Sequence, residues 1–195
     1  MSSKMITIEI NNNSYQAAED QTIFEIAKSN GLYIPHLCYH KDLLPYGACR
    51  LCMVEIEVKG RSRLVASCGY YPTEGLKVKT DSPGVHNVRK KLTELFFAII
   101  PENETIKKLS IEYQINESRY KRNDTYCIHC NLCVRYCNEV KGKNAIGSVG
   151  RGHEREIAWI PLTTYKSECE ECNECIDLCP TGVFPSNWGI VGVEE

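Results

Sequence analysis

The chain begins with a regular alternation of apolar and polar residues. Ile6, Ile8 and Ile10 are separated by single polar residues, which is the pattern of a strand with one buried face. Three asparagines, residues that favour turns, occupy positions 11–13, and a second segment of strand character begins near Tyr15. The pattern therefore predicts a β-hairpin at the start of the chain.

A short helical pattern follows this hairpin. Thr22 and Glu25 have the spacing of a capping box, in which each residue satisfies a backbone N–H of the other. The apolar residues expected on its inward face are Ile23, Ile26 and Ala27. An Asn-Gly pair at 30–31 and the proline at 35 end the helical pattern.

A longer helix is predicted after Ser82 and Pro83, which suit the cap and the first helical position. Its expected apolar face consists of Val85, Val88, Leu92, Leu95, Phe96 and Ile99. Its expected solvated side consists of His86, Arg89, Lys90 and Lys91. A second helix is predicted over residues 103–115, with Ile106, Leu109 and Tyr113 facing inward.

Composition narrows the class of protein. The chain has 195 residues and a net charge of −2, so we expect one or two domains and no strongly basic nucleic-acid binder. The longest apolar run, at 95–100, is too short to span a membrane, and the opening MSSKMITIEI has no apolar leader. Twelve cysteines could form a disulfide framework, but without a leader a reducing, cytoplasmic location with thiolate ligands is expected.

Two runs of four cysteines repeat the spacing C-x2-C-x2-C-x3-C, and Pro180 follows the second run. The first run contains Cys127, Cys130, Cys133 and Cys137, and the second contains Cys169, Cys172, Cys175 and Cys179. Three thiolates on one tight loop can hold three corners of an iron–sulfur cube, so the fourth ligand must come from elsewhere. Structural zinc is the alternative, but it needs only paired C-x2-C motifs and does not use the third cysteine of each loop.

This double motif resembles the bacterial two-cluster ferredoxins, in which each fourth cysteine binds the other run's cluster. The resemblance implies one [4Fe-4S] cluster held by Cys127, Cys130, Cys133 and Cys179. It implies a second [4Fe-4S] cluster held by Cys137, Cys169, Cys172 and Cys175.

The remaining four cysteines have the spacing C-x10-C-x2-C-x15-C, longer in its first gap than the plant-type [2Fe-2S] motif. Their stretch IPHLCYHKDLLPYGACRLCMVEIE resembles the N-terminal [2Fe-2S] domain of the large iron–sulfur subunit of complex I, of iron-only hydrogenases and of NAD-reducing hydrogenase diaphorases. The resemblance implies a [2Fe-2S] cluster held by Cys38, Cys49, Cys52 and Cys68. His36 and His40 could be Rieske-type ligands, but four cysteines already complete the site, which favours ordinary loop residues.

One part of the family pattern is missing from the linker. Complex I and many hydrogenases place there an additional [4Fe-4S] site made by one histidine and three cysteines. No cysteine lies between Cys68 and Cys127, so we expect that cluster to be absent. The flanking sequences LSIEYQINESRYKR and NAIGSVGRG still resemble the family.

The fold class expected from pattern and resemblance together is α+β. We expect an N-terminal β-grasp [2Fe-2S] ferredoxin-like domain at 1–80 and a helical linker at 81–118. A C-terminal ferredoxin-like domain with two [4Fe-4S] clusters is expected at 119–195.

No catalytic motif is recognisable, and the twelve cysteines divide into three complete sets. Gly147, Gly150 and Gly152 follow the order GxxGxG without the context of a nucleotide loop. The expected function is one-electron transfer within a soluble oxidoreductase complex. By resemblance, one partner is a flavin-containing NAD(P)-binding subunit, and the other is a hydrogenase, a formate dehydrogenase, another low-potential catalytic subunit or ferredoxin. A branched, electron-bifurcating complex would use the clusters as separate exits.

Three other functions fit parts of the pattern. A freestanding polyferredoxin would be monomeric and would accept electrons without partner subunits. An iron–sulfur subunit like that of succinate dehydrogenase also combines these motif types, but the long first gap and the two even cube motifs disfavour it. A zinc-stabilised interaction module would be colourless and free of iron.

Overall fold

The computed structural model describes residues 4–121, 126–159, 172 and 174–183. Strands β1 (Met5–Ile10), β2 (Asn13–Ala18), β3 (Met53–Val58), β4 (Arg61–Ala66) and β5 (Lys77–Lys79) belong to the first part of the chain. The same part contains helix α1 (Ile23–Ser29) and a short 3₁₀ turn, Ser67–Gly69. Helices α2 (Pro83–Ile99) and α3 (Glu104–Glu112) follow, in the segment predicted to be a linker.

Five strands form one mixed sheet in the order β2-β1-β5-β3-β4. β1 runs parallel to β5, and the other neighbouring pairs are antiparallel. The predicted hairpin is confirmed, with Ile8 opposite Tyr15. Asn11 and Asn12 have φ values of 50° and 67°, the left-handed conformation that two-residue hairpin turns require and that asparagine tolerates.

Helix α1 covers this sheet, and its capping box is confirmed. The Glu25 backbone N–H donates to the Thr22 hydroxyl at 3.3 Å, and the Thr22 backbone N–H donates to the Glu25 carboxylate at 2.8 Å. Phe24 joins the three predicted inward residues in a core shared with β1, β3 and β5. The helix ends at Ser29, immediately before the predicted Asn-Gly pair.

Helix α2 begins and ends where the sequence predicts, with the Ser82 hydroxyl accepting the Val85 N–H. The assignment of Arg89 to the solvated side was wrong, because its side chain is buried, whereas Leu95 from the expected apolar face is exposed. Thr93 is also buried. The buried face follows positions 85, 89, 93 and 96, one of two stripes compatible with helical spacing.

Helix α3 is shorter than predicted, but Ile106, Leu109 and Tyr113 are buried as expected. The last part of the chain contains α4 (Leu132–Arg135), a π-helical turn (Tyr136–Val140), a hairpin of β6 (Ile146–Val149) and β7 (Glu156–Trp159), a 3₁₀ turn (Gly152–Glu154) and α5 (Glu174–Asp177). Among the described residues, no helix is long and apolar enough to cross a membrane.

Candidate metal centres

The first group of cysteines lies between the sheet and the linker helices. Cys38, Cys49 and Cys52 are on the long connection from α1 to β3, and Cys68 is on the 3₁₀ turn after β4. Their exposed fractions are 4%, 2%, 1% and 2%, respectively. Because the connection returns to β3 beside the end of β4, thiols far apart in sequence meet in one buried place.

The backbone of this loop turns toward the sulfur atoms. Gly47 and Arg50 have φ values of 68° and 57°, the left-handed region in which successive N–H groups can converge on an anion. The Cys49 N–H donates to the Cys38 sulfur at 3.3 Å, and the Ser67 hydroxyl donates to the Cys52 carbonyl at 2.7 Å. Donors to sulfur stabilise it in the thiolate or cluster-bound state.

The four thiols also interact as two pairs. A hydrogen bond to Cys49 raises the pKa of Cys38 and lowers the pKa of Cys49. The corresponding bond between Cys68 and Cys52 raises the pKa of Cys68 and lowers that of Cys52. In each pair, the thiol that donates keeps its proton and shares it with the sulfur of the other member.

His36 and His40 make ordinary contacts in this loop. The Nδ1 atom of His36 lies 3.1 Å from the Ile34 carbonyl oxygen, and its ring packs on Phe24 with centroids 4.7 Å apart. Burial lowers the pKa of His36. The Nδ1 atom of His40 accepts the Asp42 N–H at 3.3 Å. These contacts give both rings a structural role.

The second group of cysteines surrounds a cavity in the C-terminal part. This cavity is lined by Cys127, Cys130, Cys133 and Cys179, together with Pro180 and Val183. The structure thus brings Cys179 next to the three cysteines of the first run, for which the sequence predicted a fourth ligand from elsewhere. Burial raises the pKa of Cys130 to about 12, with Cys179 and Cys127 adding to the shift.

The loop carrying these cysteines also has left-handed residues. His129 and Asn131 have φ values of 50° and 59°, and the His129 N–H donates to the Cys127 sulfur at 3.4 Å. An N–H donor again points at a sulfur atom from between two cysteines. Asparagine at 131 was a usable sequence signal, because it adopts this conformation more readily than most residues. Arg50 gave no such signal.

The third group is described in part. Cys137 lies on the π-helical turn, and its sulfur accepts the Ala145 N–H at 3.3 Å. Cys175 packs in the same apolar cluster as Cys137, and Cys172 is half-buried. Cys169 lies outside the described residues. A π-helical turn widens the helix by one residue and is common at functional sites.

The two cysteine loops touch each other directly. The Asn131 amide donates to the Tyr46 hydroxyl at 3.1 Å, and Arg135 donates to the Leu44 carbonyl at 2.7 Å. Cys49 is close enough to Cys130 to contribute to raising its pKa. Sequence reasoning did not find Tyr46, Asn131 or Arg135, because these contacts join segments more than eighty residues apart.

The donor atoms of both loops are of the kind that iron–sulfur clusters use. None of the eleven cysteines among the described residues forms a disulfide. In each loop, one backbone N–H donates to a cysteine sulfur. Thiolate sets with such donors are typical of cluster sites.

Comparison with known proteins supports this chemistry. Residues 3–83 match the family described as "2Fe-2S iron-sulfur cluster binding domain". Residues 119–185 match that described as "NADH-quinone oxidoreductase subunit 3, ferredoxin-like domain".

Several curated proteins are similar over nearly the whole chain. The G 2 subunit of the NADH-quinone oxidoreductase of Rhizobium meliloti (strain 1021) is 28% identical, covering 93% of this chain and 24% of that protein. The NADH-ubiquinone oxidoreductase 75 kDa subunit of Reclinomonas americana is 30% identical, with coverages of 93% and 29%. The chain therefore spans about a quarter of the length of these relatives.

A solved structure is similar over a larger share of its own length. It is that of an NAD+-reducing [NiFe]-hydrogenase in the H2-reduced state, with 30% identity and a TM-score of 0.66. The similarity covers 79% of this chain and 74% of the hydrogenase chain. Our chain therefore belongs to the family of iron–sulfur subunits that includes the 75 kDa or G-type subunit of NADH-quinone oxidoreductases and a subunit of NAD+-reducing hydrogenase.

Proposed function

We propose that this chain is the electron-wiring subunit of a multi-subunit oxidoreductase and binds one [2Fe-2S] and two [4Fe-4S] clusters. Cys38, Cys49, Cys52 and Cys68 hold the [2Fe-2S] cluster on a β-grasp domain. Cys127, Cys130, Cys133 and Cys179 hold one [4Fe-4S] cluster, and Cys137, Cys169, Cys172 and Cys175 hold the other. Each bound cluster accepts and releases a single electron.

The observation that carries this proposal is the shared core of the two cysteine loops. Cys38 and Cys49 pack in the same buried apolar cluster as Cys130, together with residues of α2 and α3. Loops packed in this way would hold two metal centres at a fixed spacing, with apolar side chains between them. A chain with unrelated zinc sites would have no need to pack its cysteine loops against each other.

The partners follow from the relatives by analogy. A flavin-containing NAD(P)-binding subunit would exchange electrons at one end of the wire. A hydrogenase, a formate dehydrogenase, another low-potential catalytic subunit or ferredoxin would do so at the other end, in the cytoplasm. In a bifurcating complex, the two cube sites would serve different exits.

The first test is metal content and electron paramagnetic resonance (EPR) of the chain isolated anaerobically in its native complex. We expect about ten irons per chain, with one [2Fe-2S] signal and two interacting [4Fe-4S] signals after reduction. Zinc in place of iron would refute the proposal. About eight irons without a [2Fe-2S] signal would leave a two-cluster ferredoxin with an N-terminal docking domain.

The ligand sets are tested with a matched pair of variants. Cys179→Ser should disturb the cluster of the first run, although Cys179 belongs to the second run in sequence. Cys137→Ser should disturb the cluster of the second run. If each variant instead disturbed the cluster of its own run, the exchange of fourth ligands would be wrong.

The wiring role is tested by identifying the subunits bound to the native chain. We expect a subunit that contains flavin and oxidises or reduces NAD(P), and it should reduce the clusters of this chain when supplied with the nucleotide. A monomer that is reduced only by free low-potential donors would identify a freestanding polyferredoxin instead.

A further inference from the structure

Arg89 is a buried cation placed directly behind the first cysteine loop. Its side chain is only 6% exposed, although an arginine on a linker helix would ordinarily reach solvent. Its Nε donates to the Leu51 carbonyl at 3.1 Å, and one terminal nitrogen donates to the Met53 carbonyl at 2.8 Å. These two carbonyls flank Cys52, so the guanidinium lies against the backbone of a proposed ligand.

The charge of Arg89 is not balanced by an ion pair within the part of the chain that the structure describes. The Tyr113 hydroxyl interacts with the side chains of both Arg89 and Glu112, but no carboxylate in the described residues forms a direct salt bridge with Arg89. Two carbonyls and the Tyr113 hydroxyl satisfy part of its hydrogen-bonding capacity, and none of these groups carries a formal charge. A buried, unpaired cation is costly unless an anion accompanies it.

We propose that Arg89 is the counter-charge of the [2Fe-2S] centre and raises its reduction potential. This inference rests on the proposed ligand set of Cys38, Cys49, Cys52 and Cys68. Reduction adds one negative charge at that centre, and a fixed positive charge in a low-dielectric interior favours the more negative state. The two carbonyl contacts hold the guanidinium in position, so the stabilisation needs no rearrangement when the electron arrives.

The test uses substitutions that separate charge from hydrogen bonding. Arg89→Gln keeps a donor for one carbonyl and removes the charge, whereas Arg89→Lys keeps a donor and the charge. Lys90→Gln is the matched control, because Lys90 is the next residue of the same helix and is exposed. The midpoint potential of each cluster is measured in the anaerobic holoprotein by redox titration followed by EPR.

We expect Arg89→Gln to lower the midpoint potential of the [2Fe-2S] cluster. At a fixed applied potential, the ratio of reduced to oxidised cluster should fall at least tenfold, which corresponds to a shift of about 59 mV in the midpoint potential for one electron. Arg89→Lys should change that ratio less than about threefold, because the charge remains. Lys90→Gln should leave it unchanged, because exposed charges are screened. The [4Fe-4S] potentials serve as an internal reference.

The remaining outcomes are equally decisive. An unchanged potential in Arg89→Gln, or equal shifts in Arg89→Gln and Arg89→Lys, would overturn the proposal. If Arg89→Gln lost the [2Fe-2S] signal while Arg89→Lys kept it at the original potential, the need for charge would be supported. Loss of the [2Fe-2S] signal in both variants would mean that Arg89 only stabilises the backbone conformation of the loop. A wild-type protein without a [2Fe-2S] signal would refute the ligand set itself, a failure distinct from an unshifted potential.

Discussion

The two cysteine-bearing regions differ in how much of each site the polypeptide builds alone. In the first region, a five-stranded sheet and two helices surround four fully buried cysteines. In the second region, the described elements are a two-stranded sheet, four-residue helices and a π-helical turn. There Cys127, Cys172, Cys175 and Cys179 are only partly buried.

This difference indicates that the first region folds without its metal, whereas the folding of the second region depends on metal binding. The sheet region has an apolar core of its own, so its site can exist before a cluster binds. The C-terminal region has a small core in which the cysteines themselves are a large part. When ligands replace core residues, the free energy of metal binding becomes free energy of folding.

The largest effect that would test this comparison is removal of all clusters. We expect the apoprotein to keep slow amide exchange in β1, β3 and α1 and to lose protection throughout residues 126–159, because only the first region retains a core. Hydrogen exchange followed by mass spectrometry measures both regions in one sample. Equal loss of protection in the two regions would contradict the comparison.

Two glycines allow the tightness of backbone packing in the two regions to be compared. Gly60 and Gly150 both have positive φ, 73° and 70°, but a Cβ atom on Gly150 would lie 2.4 Å from the Glu154 carbonyl oxygen, whereas one on Gly60 meets nothing within 4 Å. Gly60→Ala should cost about 1–2 kcal/mol of stability from its conformation alone. Gly150→Ala should cost about 1–3 kcal/mol more, because backbone must move.

Local hydrogen exchange in each hairpin measures these costs. Gly60→Ala serves as the control for the conformational term. Equal costs for the two substitutions would mean that the turn after β6 yields easily, and that the C-terminal region is looser than its contacts indicate. The Gly150 contact also supplies a structural reason for one glycine of the GxxGxG sequence.

Two buried threonines allow hydrogen-bond satisfaction in the sheet region and in the linker to be compared. The Thr22 hydroxyl is hydrogen-bonded as a helix cap, whereas the Thr93 hydroxyl on α2 has no partner among the described residues. Thr22→Val should destabilise the protein by about 1 kcal/mol, through loss of the cap. Thr93→Val should stabilise it by about 1 kcal/mol, because it removes an unsatisfied buried hydroxyl at nearly constant side-chain volume.

Denaturant unfolding of the holoprotein measures both changes. The two substitutions are chemically identical, so each is the control for the other. Destabilisation by Thr93→Val would show that its hydroxyl makes a bond in solution, and that the linker is as fully satisfied as the sheet region.

The smallest effect concerns the contact between the regions. Tyr46→Phe removes the hydroxyl that accepts from Asn131, and we expect a loss of about 0.5–1 kcal/mol because the tyrosine is partly exposed. Tyr71→Phe is the control, since Tyr71 has similar exposure and no hydrogen bond from its hydroxyl in the described part of the chain. Denaturant unfolding should show a lower free energy of unfolding for Tyr46→Phe only. Equal changes in the two variants would mean that the hydrogen bond between Tyr46 and Asn131 does not stabilise the contact between the two regions.

Sequence predicted the local features of this protein well and the face of helix α2 poorly. The hairpin, the capping box and both ends of α2 follow from signals that act within a few residues. The apolar stripe at 85, 88, 92 and 95–96 overlaps the stripe at 85, 89, 93 and 96, and period alone does not choose between them. Arg89 is buried because its guanidinium donates hydrogen bonds to the carbonyls of Leu51 and Met53. These residues are distant in sequence, so no local pattern encodes the contact.

The same division holds for the metal centres. Cysteine spacing alone predicted that three thiolates of each run share one loop and that a fourth ligand must come from elsewhere. The resemblance to two-cluster ferredoxins pointed to Cys179 as the fourth ligand of the first run, and in the tertiary structure Cys179 lines the cavity of that run. Only the tertiary structure decided that Cys49 lies near Cys130. Spacing fixes contacts along the chain through covalent geometry, whereas contacts between distant loops depend on how the sheet, the linker helices and the C-terminal elements pack.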